Sequence, residues 1–278
     1  MKKLLSSFLA VLISVFCVYA QAEKPIPLTY QSTMIGIGSG YFYDTYLSPM
    51  EYKGTAINVH YEQMKMTGLA DGNIAAQHLF NLNFSWADNK TETATDYSGF
   101  IDYAYGLYYK FSPLDKWRFF AGGQANGLLG FIYNSRNGNN PATGKGHVNL
   151  NLSAIAAYDF QIKSQPVFLR YQLNVPFVGI MLSPEFGQSY YEIGLGNRNG
   201  LTHFSSFHNY LAMRNIISAE IPIKRFTIRL SYINWIYETK INDLETRVSN
   251  NSFLIGLSKN FYTVPRKKQT PDKYHSVF

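Results

Sequence analysis

The sequence predicts an all-β protein: an antiparallel, up-and-down transmembrane β-barrel of about ten strands. Three observations carry this expectation. The segment 147–162 reads HVNLNLSAIAAYDFQI, with Val148, Leu150, Leu152, Ala154, Ala156, Tyr158, Phe160 and Ile162 on one parity. The other parity begins His147, Asn149, Asn151, Ser153 and ends Asp159, Gln161. Successive strand side chains point to opposite faces, so one face is apolar and the other mostly polar. The run is long for a soluble sandwich and suits a tilted strand crossing a bilayer. The second observation is that short and long connections alternate along the chain. The third is that aromatic residues make up 16% of it, as barrels with interfacial girdles require.

In chain order, residues 1–22 read as a signal peptide that is removed. Lys2 and Lys3 give the positive start, residues 4–19 the apolar stretch, and Ala20-Gln21-Ala22 the small-residue cleavage site. Phe16 precedes the single cysteine, Cys17, where a lipidation signal needs a small residue. The mature chain then has no disulfide and no cysteine nucleophile or metal ligand.

The barrel is expected over residues 23–262. Its strands are placed at 29–43, 55–66, 74–86, 101–111, 117–133, 147–162, 167–177, 211–223, 226–241 and 252–262. In the second, Ile57, Val59 and Tyr61 oppose Asn58, His60 and Glu62. In the third, Phe80, Leu82, Phe84 and Trp86 oppose Asn81, Asn83 and Ser85. In the fourth, Ile101, Tyr103, Tyr105, Leu107, Tyr109 and Phe111 oppose Asp102, Ala104, Gly106 and Lys110. In the seventh, Val167, Leu169, Tyr171, Leu173 and Val175 oppose Arg170, Gln172 and Asn174. The fifth is glycine-rich and less regular. Pro176 and Pro222 cannot donate to a ladder and belong at strand ends or bulges.

The connections 67–73, 112–116, 163–166 and 224–225 are short. Those after strands one, three, five, seven and nine are mostly longer, as at 87–99, 134–146 and 183–209. Outer-membrane barrels have tight periplasmic turns and longer outer loops, so both chain ends are expected in the periplasm. The tail 263–278, with Arg266, Lys267, Lys268 and Lys273, reads as a solvated basic extension. The whole chain carries a formal charge of +7; loss of Lys2 and Lys3 leaves 23 basic against 18 acidic residues, or +5. No basic block is large enough to argue for nucleic acid. No mature segment approaches 18 continuous apolar residues, so spanning by helices is not expected.

The polar parity supplies the candidate site. Glu62, Asp102, Lys110, Arg118, Asp159, Arg170, Arg214, Glu220 and Arg229 put both signs of charge on the lumen face. A barrel of about eight to ten strands is largely filled by side chains. These groups are therefore expected to pair and plug it, because unpaired buried charges are costly. A narrow polar channel for small solutes is the alternative. A weaker candidate lies in the longest loop, where His203, Ser205 and Glu192 are a possible surface hydrolase set. His203-Phe204-Ser205 faintly resembles the lipid A deacylases, whose resemblance implies a histidine, a serine and a glutamate on a barrel wall. His203 and His208 lack further ligands of metal-site geometry, and no cofactor signature is present.

Two stretches carry a family resemblance. One is Asp44-Thr45-Tyr46-Leu47-Ser48-Pro49 with Tyr52-Lys53-Gly54. The other is Ser206-Phe207-His208-Asn209 with Arg214-Asn215 and the terminal strand Phe253-Leu254-Ile255-Gly256-Leu257 to Phe261-Tyr262. Together they resemble an uncharacterised outer-membrane family of Bacteroidetes, a domain of unknown function. The resemblance implies a barrel and no activity. Read physically, residues 44–54 form a fixed turn at Leu47-Ser48-Pro49, and Gly54 allows a sharp entry into strand two. The aromatic-ended last strand resembles the signal read by the barrel assembly machinery. That machinery and outer-membrane lipid are the expected partners, with any envelope partner unnamed and the role non-enzymatic.

Overall fold

The structure, a computed structural model, describes residues 26–185, 187–223, 226–261 and 274–275. The expected leader, residues 224–225 and nearly all of the 263–278 tail lie outside the described residues. A two-residue pair, β1 (Ile26–Pro27) with β13 (Tyr274–His275), is parallel and separate from the main sheet.

The main sheet closes into a barrel. Its strands are β2 (Thr29–Asp44), β3 (Ser48–Met66), β4 (Ile74–Asn89), β5 (Thr95–Phe111), β6 (Trp117–Asn134), β7 (Ala142–Ile162), β8 (Gln165–Leu182), β10 (Tyr210–Ile223), β11 (Phe226–Ile241) and β12 (Leu244–Phe261). Each pairs antiparallel with its sequence neighbour, β12 pairs with β2, and β10 pairs with β8, so the ring of ten has no open edge. A short β9 (Thr202–Ser206) pairs with the upper part of β8.

The parities sort as the sequence predicts. In β7, Val148 is 67% exposed on the outer face while its neighbour Asn149 is buried. Ile101, Leu129, Ile180, Ile217 and Phe253 continue the apolar exterior on other strands. Two aromatic bands mark this exterior. At the end that carries Thr29 and Phe261, Trp117 stacks on Phe119, with ring centroids 5.5 Å apart, and Phe119 on Phe111. Towards the other end lie Tyr97, Phe131 and Tyr133. Phe119 and Phe131 share one face of β6. About a dozen residues at a tilt of about 40° separate the bands by roughly 30 Å.

The strands are longer than expected at the end away from Thr29. The predicted turn at 47–49 is instead residues 45–47, and Ser48, Pro49 and Gly54 all belong to β3. Gly54 serves close approach: a Cβ there would sit 2.1 Å from the Trp86 carbonyl oxygen. The connection after β11 is only Asn242-Asp243, both at left-handed φ (55° and 59°), the backbone of a tight hairpin. The short–long alternation therefore holds clearly only for 183–209: residues 90–94 and 135–141 are no longer than 67–73 at the opposite end, and the two hairpins at 45–47 and 242–243 are shorter. At these strand ends the inward side stays buried, as at Phe42, Asp44 and Tyr52, while the outward side meets water. There the outward residues turn polar, as Glu51 and Lys53 do, and the alternation that reveals a strand fades.

Pro176 lies at a register shift. Leu150 pairs with Val178 but Asn151 with Pro176, leaving Phe177 as the extra residue. The bulge reverses the facing of β8: Gln172 and Asn174 point inward before it and Met181 after it. Pro222 sits one residue from the end of β10, opposite Thr227.

Candidate functional site

Three levels of ion pairing cross the lumen. At the end that carries Thr29 and Phe261, Glu62 on β3 meets Arg170 on β8, five strands around the ring and diametrically opposite. Arg170 Nη1 donates to Glu62 Oε2 at 2.9 Å, and its Nη2 makes a second, shorter bond to Oε1. Arg229 on β11 donates to the same Oε2 at 2.6 Å. It also donates to Tyr30 Oη and to Ser218 Oγ, both at 2.9 Å. Tyr30 passes a hydrogen bond to Glu220, which also accepts from Ser258. Gln77 donates to Glu62 at 2.6 Å and accepts from Tyr108 at 2.7 Å. Glu62 and Arg229 are wholly buried. Burial costs several kcal/mol per ion, and only multiple charge-assisted bonds offset it. This cluster supplies them for two acids and two guanidinium groups.

At mid-height Asp102 on β5 accepts from Arg214 at 2.7 Å, Asn81 at 2.9 Å and Asn126 at 3.0 Å. The Arg214 guanidinium lies 5.5 Å from the centre of the Trp235 ring. Two cavities of about 30 and 20 Å³ flank this pair. They are lined in part by Gln124, His147, Asn151 and His60. Each of these four has a buried polar atom without a protein partner: Gln124 Oε1, His147 Nδ1, Asn151 Oδ1 and His60 Nε2. Such volumes admit a few waters and no larger solute.

The third level is Asp44 on β2 with Lys145 on β7, 2.6 Å apart and again opposite each other in the ring. Thr246 bonds to both partners. A buried apolar cluster that includes Phe42, Tyr52, Phe100, Trp235 and Tyr237 also fills this end of the lumen.

The loops then cross the mouth. Tyr46 in the β2–β3 turn donates to the Gln188 carbonyl at 2.9 Å and meets Tyr190 edge-on at 5.9 Å. Partial burial pushes the Tyr46 hydroxyl up to about 12, which keeps it a donor. Asn137 donates to the Leu47 carbonyl at 3.0 Å. Asn242 donates to the carbonyls of Pro184 and Gly200, each at 3.2 Å. The Tyr46 and Asn137 bonds thus tie turns across the ring over the lumen, and the Asn242 bonds tie the β11–β12 turn to the nearby 183–209 loop.

Six of the nine residues expected in the lumen network lie within it: Glu62, Arg170, Glu220, Arg229, Asp102 and Arg214. Arg118 and Asp159 pair with each other in bidentate fashion, half-buried, beside the mouth of the Thr29 end. Lys110 lies half-buried near the same end, 5.8 Å from the Phe120 ring. For these three the expectation of a core network is corrected to a rim, because strand ends emerge from the filled section. Asp44 and Lys145 were missed as a pair, and so was Asp96, which is buried and accepts from Asn134. Extending the inward parity by one further position reaches Asp44 from Phe42 and Lys145 from His147.

A family model described as "Protein of unknown function (DUF3316)" matches residues 4–268. The chain belongs to the DUF3316 family. This agrees with the resemblance to a domain of unknown function drawn from the Asp44–Pro49 and Ser206–Asn209 motifs. No curated protein matches the chain. Among solved structures, it is similar to the transport unit of the autotransporter AIDA-I from Escherichia coli: 10% identity, 90% of this chain, 94% of that one, TM-score 0.48. It is also similar to the outer membrane protease OmpT from Escherichia coli: 8% identity, 84% and 97% coverage, TM-score 0.44. The translocator domain of NalP from Neisseria meningitidis has 10% identity, 92% and 95% coverage, and a TM-score of 0.38.

In this DUF3316 chain the loop candidates do not share hydrogen bonds with one another. His203 Nε2 contacts Asn242 at 3.0 Å. Ser205 is buried and donates to Asn149 at 3.4 Å. Glu192 caps the short helix α1 (Tyr190–Gly194), accepting from the Ser189 backbone and hydroxyl, which holds its carboxyl below the usual range. His208 bonds Ser206 at 2.6 Å, away from His203's partner. Among the described residues no group of three His, Cys, Asp or Glu is placed to hold a metal ion.

Proposed function

We propose that this protein is a resident of a bacterial outer membrane, a plugged barrel with an envelope-structural or accessory role and neither pore nor enzyme. The observation that carries the plug is the Glu62–Arg170 pair. It spans the full width of the lumen and is sealed on one side by Arg229. The loop ties at Tyr46, Asn137 and Asn242 support a second closure. The separation of the aromatic bands, close to the thickness of a hydrocarbon core, supports the membrane span.

On this reading the signal peptide 1–22 is removed. The short connections and both chain ends face the periplasm, and the partners are outer-membrane lipid and, during biogenesis, the barrel assembly machinery. A Bacteroidetes source rests on the resemblance carried together by the Asp44–Gly54 stretch and by Ser206–Asn209 with the terminal strand. The deciding experiment is single-channel recording of the purified barrel in a planar bilayer. The expected result is no conductance; discrete open levels from the wild-type protein would make it a channel. An impermeant label that reaches cysteines placed at 135–141 on whole cells, and not cysteines at 112–116, would support the orientation.

A further inference from the structure

An apolar groove lies outside the barrel wall, at the loop end. It measures about 280 Å³ and is lined by Leu129, Gly146, Leu182, Tyr190, Ile193 and Leu201 among others; the one charged residue of the lining, Lys145, has its ammonium on Asp44 inside the lumen. Its floor follows from the register. Leu129 pairs with Gly146 and Gly146 with Leu182, so three adjacent strands set leucine, glycine, leucine in one outward row. A Cβ at Gly146 would stand 3.4 Å from Leu182 and 3.5 Å from Leu129, within the gap between the two ridges.

The roof is held in place by an unpaired strand edge. β8 ends at Leu182, opposite Gly146, so β7 runs on to Gly144 without a partner on that side. Tyr190 Oη takes that role, accepting from Gly144 N at 2.5 Å and donating to Gly144 O at 3.2 Å. The loop is thereby fixed a short distance off the wall. Below it the same outward faces continue as Val148, Leu150, Leu152 and Ile180, all more than half exposed.

We propose that this groove seats one acyl chain of a membrane lipid, drawn up from the apolar belt beneath the 183–201 loop. The inference rests on the membrane reading above. The occupant is a lipid chain because the floor is continuous with the lipid-facing belt and no charged side chain turns into the groove. Its apolar lining would otherwise stay against water at a cost that burial of a chain removes.

The test uses the full mature chain in phosphatidylcholine vesicles carrying a diazirine midway along one acyl chain. After irradiation, adducts on Ile193 or Leu201 are expected, residues that a loop standing clear of lipid would keep from mid-chain carbons. Gly146→Phe, which fills the gap, should lower those adducts about tenfold while adducts on Leu150 and Leu152 are unchanged. Ile193→Lys, confined to the loop, should do the same for Leu201. Absence of adducts on 184–201, or adducts that neither variant reduces, overturns the groove proposal while leaving the membrane reading intact. Absence of adducts on Leu150 and Leu152 as well overturns the membrane reading itself.

Discussion

Glu62 and Arg170 stand on strands at opposite ends of a barrel diameter, and their carboxylate and guanidinium meet in two parallel hydrogen bonds. The contact is a crossbar. It fixes the distance between two walls that no backbone hydrogen bond connects. Glu62→Gln should leave Arg170 without a counter-charge and Arg229 with only Glu220, 3.8 Å away. The expected cost is about 3–5 kcal/mol, the range for breaking a buried pair. Urea titration followed by the shift between folded and unfolded bands on a gel measures it. Glu62→Leu combined with Arg170→Met should recover much of the loss, since no lone charge remains.

Opening the lumen requires removing the crossbar and the pair above it together. Glu62→Ala/Arg170→Ala/Asp102→Ala/Arg214→Ala should produce discrete conductance in a planar bilayer where the wild type gives none. A silent variant that still migrates as a folded barrel would assign the block to the aromatic cluster around Phe100 and Trp235 and to the loops.

The outer face gives an independent test. Leu152 is more than half exposed near the middle of β7. Leu152→Arg should destabilise the barrel in lipid vesicles by about 2–4 kcal/mol, the midplane range for a charge facing lipid. In detergent-free buffer the same substitution on a soluble barrel would be nearly neutral, so the vesicle measurement separates the two environments.

Tyr190→Phe removes the hydroxyl that covers the Gly144 edge. A lost hydrogen bond of about 1 kcal/mol should raise protease cleavage within 183–201 about fivefold by easing local opening. Cleavage rates followed by mass spectrometry would show it, with the 135–141 loop as internal control.

The fold was legible in the chain wherever one face of a strand met an apolar medium. His147 to Ser153 shows both faces in seven residues, and the burial follows that parity without exception. Legibility ended where strands leave that medium. Ser48 to Lys53 carries a proline and exposed charges, which read as a loop, yet it continues β3. The same loss hid Asp44 and Lys145, whose signal was simply the next inward position. Residue types alone showed that charges lie inside. Which acid meets which base depends on ring geometry: Glu62 and Arg170 are 108 residues apart and meet only because five strands span half the circle.

The three crossing levels have a collective property. In the lowest, Glu62 and Glu220 face Arg170 and Arg229; Asp102 faces Arg214; Asp44 faces Lys145. Within each level the paired groups sum to zero charge. A wall that closes around these levels encloses no net charge from them, so no small ion has to be carried in or stripped away as they are sealed. No level depends on the charge of another, so each can be registered on its own.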